Sequence, residues 1–215
     1  MTTAGSNTGR GFIVCILLAA AIFATLRGVQ DYDFVNFDDG KYVTENDYVQ
    51  HGLTREGMVW AFTTMHFAQW HPLTWLSHML DCQLYGLNPG GHHVSNLLLH
   101  TANALLLFLV LQGMTGKTWP SALVAGLFGL HPLHVEPVAW ISGRKDLLCA
   151  FFWMLTLGCY LLYVRKPGIS RYLLVFILFV LGLMAKQMIV TLPFVLFLLD
   201  YFVDLLRSAA SADHK

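Results

Sequence analysis

Long apolar runs separated by short polar breaks dominate the pattern along the chain. A membrane span needs about 20 mostly apolar residues, and four runs reach or approach this length, at about 11–28, 93–113, 120–135 and 147–164. A further stretch, 172–206, is too long for one helix across ~30 Å of hydrocarbon at about 1.5 Å per residue. Lys186 and Pro193 interrupt it. The pattern therefore predicts two short spans there, about 171–185 and 191–206, and six spans in all.

The basic residues of the short loops indicate the orientation, because Lys and Arg mark the cytoplasmic side. The loop RKPGISR at 165–171 is the clearest such signal. It predicts a cytoplasmic N-terminus at 1–10, a membrane domain at 11–206 and a cytoplasmic tail at 207–215. The segment 31–91 then lies outside, with eight acids against two basic residues. The first run resembles a signal peptide, but no small-residue cleavage site follows it, which favours a retained anchor.

Two short helices are predicted in this outward segment. Thr54 can cap the first, because its side-chain oxygen can accept a backbone N–H of the first turn. Pro72 suits the first position of the second helix, and Gly86 can end it. The apolar face of the second helix and the aromatic residues suited to the headgroup level are Leu73, Leu76, Leu80, Leu84, Trp60, Trp70 and Trp75. We expect both helices to lie on the outer membrane surface; a small exterior domain is the less favoured alternative, since the segment is short for its own core.

Composition agrees with a membrane protein. Of the 215 residues, 56% are hydrophobic and 12% charged, whereas a soluble domain carries roughly 25% charged residues; the mean hydropathy is +0.56. The formal net charge is zero, so no basic face indicates nucleic-acid binding. The cysteines show no metal-type spacing, and three of the four lie in apolar runs, which argues against a disulfide framework. The chain is therefore predicted to be an all-α, multi-pass integral membrane protein surrounded by lipid.

On this topology the ionisable residues converge at the outer interface. Asp38 and Asp39 follow the first span, the segment 131–146 joins the third and fourth spans, and Lys186 lies between the last two. Charged groups near hydrocarbon are costly, so such a cluster is a functional-site hypothesis. The candidates are Asp38, Asp39, His131, His134, Glu136, Arg144, Lys145, Asp146 and Lys186. The alternative is a stabilising cluster, in which Arg144 or Lys186 pairs with an acid of the 131–146 segment.

One chemistry suits this combination of groups. A carboxylate can take the proton of an acceptor hydroxyl. The cations can hold a phosphate, Arg144 as a fork and Lys145 or Lys186 as point charges, with Glu136 and Asp146 in support. The phosphate would belong to the leaving group of a lipid-linked donor whose tail lies between the helices. Positioning and charge stabilisation would then supply most of the rate.

Five motifs, in this order, resemble those of a known family: NFDDGKYVTENDYV, HPLTWLSHMLD, GHHVSNLLLHTANALLL, HPLHVEPVAWISGRKDLL and LMAKQMIVTLPFVLFLLDY. Over about residues 11–206 the chain resembles the membrane half of the TMTC-like proteins, which combine transmembrane helices with tetratricopeptide repeats. These belong with the protein O-mannosyltransferases in the GT-C glycosyltransferase superfamily. The likeness is greatest to bacterial members, partly because of the MIVTLPFVLFLLDY ending.

The resemblance implies a GT-C fold, an outward first loop that carries the catalytic acid, and a polyprenyl-phosphate sugar donor. Asp38 matches the first acid of the family's pair and Asp39 the second, so Asp38 is expected to be the base and Asp39 to support it. The implied reaction moves a sugar, mannose, to a hydroxyl of protein Ser or Thr at the periplasmic face of a bacterial inner membrane. No cofactor is expected besides the donor, and a divalent metal at Asp39 is left open.

Two features depart from the family pattern. Relatives often have an acid after the lysine that corresponds to Lys186, where this chain has Gln187. The family's membrane domain has more spans and is followed by tetratricopeptide repeats, and no helical repeat of that period is visible in this sequence. We therefore expect a fragment or a shortened relative, and the alternative function is a non-catalytic, membrane-anchored interaction or assembly module.

The histidines raise a second alternative, a zinc site. His131, His134 and Glu136 form H-x-x-H-x-E, but Pro132 and Pro137 disfavour the unbroken helix that such a site would need. The two histidines are expected instead to donate hydrogen bonds near the donor phosphate or to have a structural role.

Polar residues inside the second span point away from a third alternative, a transporter. His100 and Asn103 are expected to bond to neighbouring helices rather than to substrate, as polar side chains within the bilayer commonly do. A transporter would show paired inverted repeats and acids near the bilayer midplane. The acids here lie at the edge of the membrane, which disfavours that class.

Overall fold

The computed structural model describes residues 3–201, and within this range it contains helices and turns but no strand. Its α-helices are α1 Thr3–Leu26, α2 Asp47–Gln50, α3 Arg55–Thr63, α4 Pro72–Tyr85, α5 Pro89–Thr115, α6 Thr118–Leu130, α7 Glu136–Ala139, α8 Arg144–Arg165 and α9 Ile169–Leu183. Helical residues 192–201 follow the 3₁₀ turn Gln187–Thr191. The predicted all-α class is confirmed.

Several of these helices have the length and composition of membrane spans. Three stretches are long and apolar enough to cross a bilayer, namely Gly9–Asp31, Pro89–Thr115 and Ile141–Arg165. Helix α6 and residues Pro132–Ala139, bent by 57°, make a fourth if they count as one span. Two shorter apolar helices, Ile169–Leu183 and Gln187–Tyr201, follow, with a break at 184–186. The chain is an integral membrane protein; six spans stay a prediction, since residues 202–215, with the end of the sixth span and the predicted tail, lie outside the described range.

Helix α5 is the centre of the bundle and packs against α1, α6 and α8, while α9 packs against α8. The close approach of α1 and α6 depends on Gly129, where a Cβ atom would lie 2.7 Å from Cδ1 of Ile22. Two polar side chains of α5 reach neighbouring helices. His100 Nε2 bonds with the Gly129 carbonyl at 3.0 Å, and Asn103 Nδ2 donates to the Leu147 carbonyl at 2.9 Å. The prediction that these two residues join helices is confirmed.

The helices of residues 31–91, the segment predicted to face outward and still called the outward segment, begin and end where local rules predict. Thr54 caps α3, with its Oγ1 accepting the Gly57 N–H at 3.0 Å. Helix α4 begins at Pro72 and is followed by Gly86 at φ 61°, a conformation that favours glycine. These three local predictions are therefore confirmed.

The same segment contributes all but one of the buried residues of a hydrophobic core, whereas the sequence favoured surface helices without a core of their own. The buried core residues are Tyr42, Val43, Val49, Ala61, Trp75, Met79, Cys82 and Ile141. Trp75 is fully buried, so the prediction that it lies at the headgroup level is wrong. Leu80 and Leu84 are exposed on the other side of α4. Ile141, from the turn before α8, is the one buried member of this core that comes from outside the segment.

Candidate functional site

Asp39 is fully buried and ties the outward segment to the turn before α8. One carboxylate oxygen accepts the Val35 N–H at 2.9 Å, and the other accepts the Ser142 N–H at 2.9 Å. Neither oxygen is accessible to an acceptor or a metal ion in this structure. This geometry fits the expected supporting role of Asp39, in which it would position the site rather than take the proton.

Asp38 is only half-buried and lies at the start of the turn that continues through Gly40–Thr44. Its carbonyl accepts the Tyr42 N–H at 2.9 Å. Its carboxylate interacts electrostatically with Lys145 and with the Tyr42 phenol. Burial, with a further contribution from the carboxylates of Asp38 and Asp146, raises the pKa of Tyr42 to about 12. A carboxylate that solvent can reach thus lies close to a phenol that stays protonated near pH 7.

Lys145 interacts with Asp38 and Tyr42 and also with the charged residues Asp146 and Lys186. Its Nζ donates to Tyr42 Oη at 3.4 Å and lies 4.9 Å from the centre of the Tyr42 ring. The same ammonium lies 5.9 Å from the centre of the Trp140 ring, a distance at which a cation–π attraction operates. The ammonium is also attracted by the carboxylate of Asp146 and repelled by the ammonium of Lys186. The structure therefore brings together a set that we call the interface cluster: Asp38, Tyr42, Lys145, Asp146 and Lys186.

Lys186 and Asp146 form an ion pair within the interface cluster, Nζ to Oδ1. The lysine side chain is 24% exposed and that of the aspartate 46%. Solvent-exposed pairs contribute about 0–1 kcal/mol to stability, so an incoming phosphate can compete for the ammonium. The pairing of Lys186 with an acid of the 131–146 segment, the alternative drawn from sequence, is confirmed, and it leaves the cation reachable.

Arg144 differs from the lysines, because it is 1% exposed and held by four hydrogen bonds. Its guanidinium donates to Asn96 Oδ1, Ser77 Oγ at 2.7 Å, Asp81 Oδ2 at 2.5 Å and the His92 carbonyl at 3.0 Å. These bonds join α4, α5 and α8 around a buried ion pair. With four of its five N–H donors used inside the protein, Arg144 has the contacts of a structural residue, and this geometry does not favour the expectation that its fork holds a phosphate.

His134 and Glu136 line a cavity of about 420 Å³ that reaches the interface cluster at Asp146. The apolar part of the cavity wall includes Phe128, Leu133, Pro137, Trp140, Leu147 and Ala150. His131 is exposed, and its Nδ1 accepts the Leu133 N–H at 3.2 Å. This bond caps the turn Pro132–His134 and gives His131 a local structural role.

Metal binding finds no geometric support in the described part of the chain. Within residues 3–201, no group of three His, Cys, Asp or Glu side chains is arranged to hold a metal ion. The H-x-x-H-x-E segment is divided between the turn Pro132–His134 and the short helix α7. The broken geometry follows from the prolines in this segment.

Two buried histidines of the outward segment pack around Tyr42. The ring centre of His71 lies 5.7 Å from that of Tyr42 in a stacked arrangement, and His78 lies 5.9 Å away, edge-on. Burial, aided by the charge of Lys145, lowers the pKa of His71 to about 4. Burial and the charge of Arg144 also lower the pKa of His78 well below its usual value. Both imidazoles are therefore neutral near pH 7 and support Tyr42 by packing.

Sequence reasoning missed two residues that organise the site, Tyr42 and Asp81, and left the role of a third, Asn96, open. Asn96 Nδ2 donates to the carbonyls of residues 137, 138 and 140, while its oxygen accepts from Arg144. The available signal was weak: each is a polar residue in apolar surroundings, and such a residue needs a partner once it is buried.

The chain is similar in sequence to several curated protein O-mannosyl-transferases. The protein O-mannosyl-transferase TMTC2 of Mus musculus is 35% identical over 101 residues, which cover 47% of this chain and 12% of the relative. TMTC4 of Homo sapiens is 36% identical over 149 residues, covering 59% and 20%, and Tmtc2 of Drosophila melanogaster is 33% identical over 138 residues, covering 61% and 15%.

The chain thus spans about a fifth or less of the length of these curated relatives. No family model and no solved structure matches it. The resemblance indicated by the five sequence motifs is confirmed by the relatives, and the chain is homologous to the region of the TMTC proteins that these alignments cover.

Proposed function

We propose that the chain is part of a membrane glycosyltransferase that moves mannose from a polyprenyl-phosphate donor to a hydroxyl of protein Ser or Thr. The names of its relatives supply the sugar and the protein acceptor. The observation that carries the proposal is the interface cluster, in which the reachable carboxylate of Asp38 interacts with the ammonium group of Lys145, and Lys145 in turn interacts with Asp146 and Lys186. A base beside two cations suits a reaction in which a phosphate leaves.

In the proposed step, Asp38 accepts the proton of the acceptor hydroxyl as the oxygen attacks C1 of the sugar. The new C–O bond forms while the bond between C1 and the phosphate oxygen breaks, and polyprenyl phosphate leaves with the electron pair. Negative charge grows on the phosphate during this step. Lys145 and Lys186 stabilise that charge, and preorganised stabilisation of this kind is commonly the largest contribution to catalysis.

The cavity next to Asp146 is our candidate site for the lipid part of the donor. Its wall carries His134 and Glu136 together with several apolar side chains. An isoprenoid tail entering between the helices would meet this apolar wall, while its phosphate would lie at Lys186. His134 is then available to donate a hydrogen bond to the phosphate.

The proposal requires the interface cluster to lie on the outer face of a six-span chain, at the periplasmic side if the membrane is a bacterial inner membrane. Asp47→Cys and Gly168→Cys test this, each in a background with the native cysteines replaced by serine. An impermeant thiol reagent should label position 47 in intact cells and position 168 only after permeabilisation. The reverse pattern would show that the cluster faces the cytoplasm and would exclude an outward reaction.

The decisive experiment is mannosyl transfer in membranes that carry the complete protein, with labelled polyprenyl-phosphate mannose and a Ser/Thr peptide. Asp38→Asn keeps the size of the side chain and removes its basicity, so transfer should fall by roughly 10²–10⁴-fold. The matched control is Asp33→Asn, an exposed acid of the same segment, which should leave transfer unchanged.

The outcomes separate the two functions that were considered. Wild-type transfer that depends on Asp38 supports the enzyme. Turnover by Asp38→Asn at the wild-type rate, with donor still bound, would remove Asp38 from the role of base. A wild-type protein that neither binds the donor lipid nor transfers the sugar would favour the non-catalytic interaction module.

A further inference from the structure

A second cleft of about 420 Å³ is lined by Lys186, whose ion-pair partner Asp146 lines the cavity around His134. Its lining includes Gln69, Trp70, His71, Lys186 and Gln187. Amide, imidazole and ammonium groups converge there beside an indole ring. Of these residues only Lys186 takes part in the reaction step described above, and the two glutamines and Trp70 have no role in it.

We infer that the second cleft binds the hexose of the lipid-linked donor, an assignment that rests on the proposed function. A sugar ring carries several hydroxyl groups, which need donors and acceptors, and apolar C–H faces, which suit an aromatic surface. The cleft has polar groups and an aromatic surface, since two side-chain amides and Lys186 line it together with Trp70. Ligand sites commonly combine a non-polar surface with a few placed polar groups in this way.

The order of the groups around Lys186 supports this assignment. Lys186 lines the second cleft and pairs with Asp146, which lies on the wall of the apolar cavity. A donor has its parts in the sequence sugar, phosphate, isoprenoid. A phosphate at Lys186 therefore places the sugar in the polar cleft and the tail in the apolar cavity. His71 stacks on Tyr42 at 5.7 Å, which joins the second cleft to the interface cluster.

Two local features show that the cleft has a defined shape. The indole N–H of Trp70 donates to the Phe62 carbonyl at 2.9 Å, which fixes the ring. Ala68 has a φ of 53°, an unfavourable backbone conformation for a residue other than glycine; such strain tends to occur at functional sites. In addition, His71 is 2% exposed, and its Nε2 has no hydrogen-bond partner among the described residues.

The test compares two lipids, polyprenyl-phosphate mannose and sugar-free polyprenyl phosphate, bound to the complete protein in nanodiscs. Gln187→Leu removes hydrogen-bonding groups at nearly constant size, so affinity for the mannosyl lipid should fall roughly 2- to 12-fold. Trp70→Phe and Trp70→Leu should weaken it as well, the second more than the first. Affinity for the sugar-free lipid should stay unchanged, which also shows that the variants are folded.

Matched controls are Gln30→Leu and Trp119→Leu, both at exposed positions away from the cleft, and neither should alter binding of either lipid. Equal loss of both lipids in the cleft variants, or loss of neither, would overturn the hexose assignment while leaving the proposed function intact. A change confined to the KM of the acceptor peptide would assign the cleft to the acceptor instead. Failure of the wild-type protein to bind either lipid would remove the proposed function together with this inference.

Discussion

Arg144→Ala is expected to destabilise the protein strongly, because it leaves a buried acid without its counter-charge. The side chain of Arg144 is 1% exposed and that of Asp81 5%. Removing one partner of a buried ion pair costs roughly 3–5 kcal/mol. In a chain of this length about 1 kcal/mol shifts the unfolding midpoint by about 2–4 °C, so the midpoint should fall by roughly 6–20 °C.

Lys186→Ala is the matched control, since it also removes one cation of an ion pair. Its pair with Asp146 is partly exposed, and such pairs contribute about 0–1 kcal/mol. The midpoint should therefore change by at most about 4 °C, while affinity for the donor lipid falls. The two variants should thus separate a structural cation from a ligand-binding one.

Thermal unfolding in detergent, followed with a dye that reacts with thiols, measures both variants. Cys82 and Cys149 are 6% and 9% exposed. Burial, with the adjacent Asp81, raises the pKa of the Cys82 thiol to about 11. The thiolate is the reactive form, so labelling of Cys82 should be slow until the protein unfolds.

A double variant sharpens the test. Arg144→Met combined with Asp81→Leu leaves no uncompensated buried charge, so its cost should be smaller than the sum of the single changes. The reasoning is refuted if Arg144→Ala unfolds at the wild-type midpoint yet no longer binds the donor lipid. That result would return Arg144 to the role of phosphate ligand that its sequence context suggested.

Three further variants test other parts of the site through the same unfolding midpoint. Asp39→Asn places an NH₂ group against a backbone N–H and should lower the free energy of unfolding by about 1–3 kcal/mol. An unchanged midpoint would contradict a structural role for the hydrogen bonds of Asp39 to Val35 and Ser142. Gly143→Ala puts a Cβ atom 2.9 Å from Cα of Pro137, whereas Gly28→Ala meets nothing within 4 Å, so only the first should destabilise, by about 1–3 kcal/mol. The pKa of His71 is about 4 in the folded protein, against an ordinary value of 6.5. As the pH drops from 6.5 to about 4, the unfolded chain therefore binds the proton before the folded chain does, and stability falls. His71→Phe should make this fall in stability shallower.

Local rules predicted the helix boundaries of the outward segment, because each depends on a few adjacent residues. Thr54 satisfies a free N–H of its own helix, Pro72 has no N–H to lose, and Gly86 adopts φ 61° without a Cβ clash. The joining role of His100 was also predictable, since a polar group inside an apolar run must find a partner on another helix.

Contacts between distant parts of the chain could not be predicted in the same way. The partner of Arg144 is 63 positions away at Asp81, and that of Asp39 is Ser142, 103 positions away. Charge marked Arg144 as a phosphate ligand, whereas its burial and internal hydrogen bonds argue for a structural role. Periodicity likewise placed four leucines on one face of α4 but did not say that Leu80 and Leu84 would be exposed while Trp75 is buried.

The core of the outward segment has a consequence for biosynthesis, because Ile141 belongs to it. The ribosome reaches Ile141 about 55 residues after Gly86, a delay of roughly 3–11 s at usual elongation rates. During that interval the nascent segment displays Trp75, Met79 and Tyr42 without their last packing partner, while α5 and α6 are still entering the bilayer. A slowly translated or stalled chain would therefore present an aromatic, aggregation-prone surface to the quality-control machinery on the side of the membrane where that segment emerges.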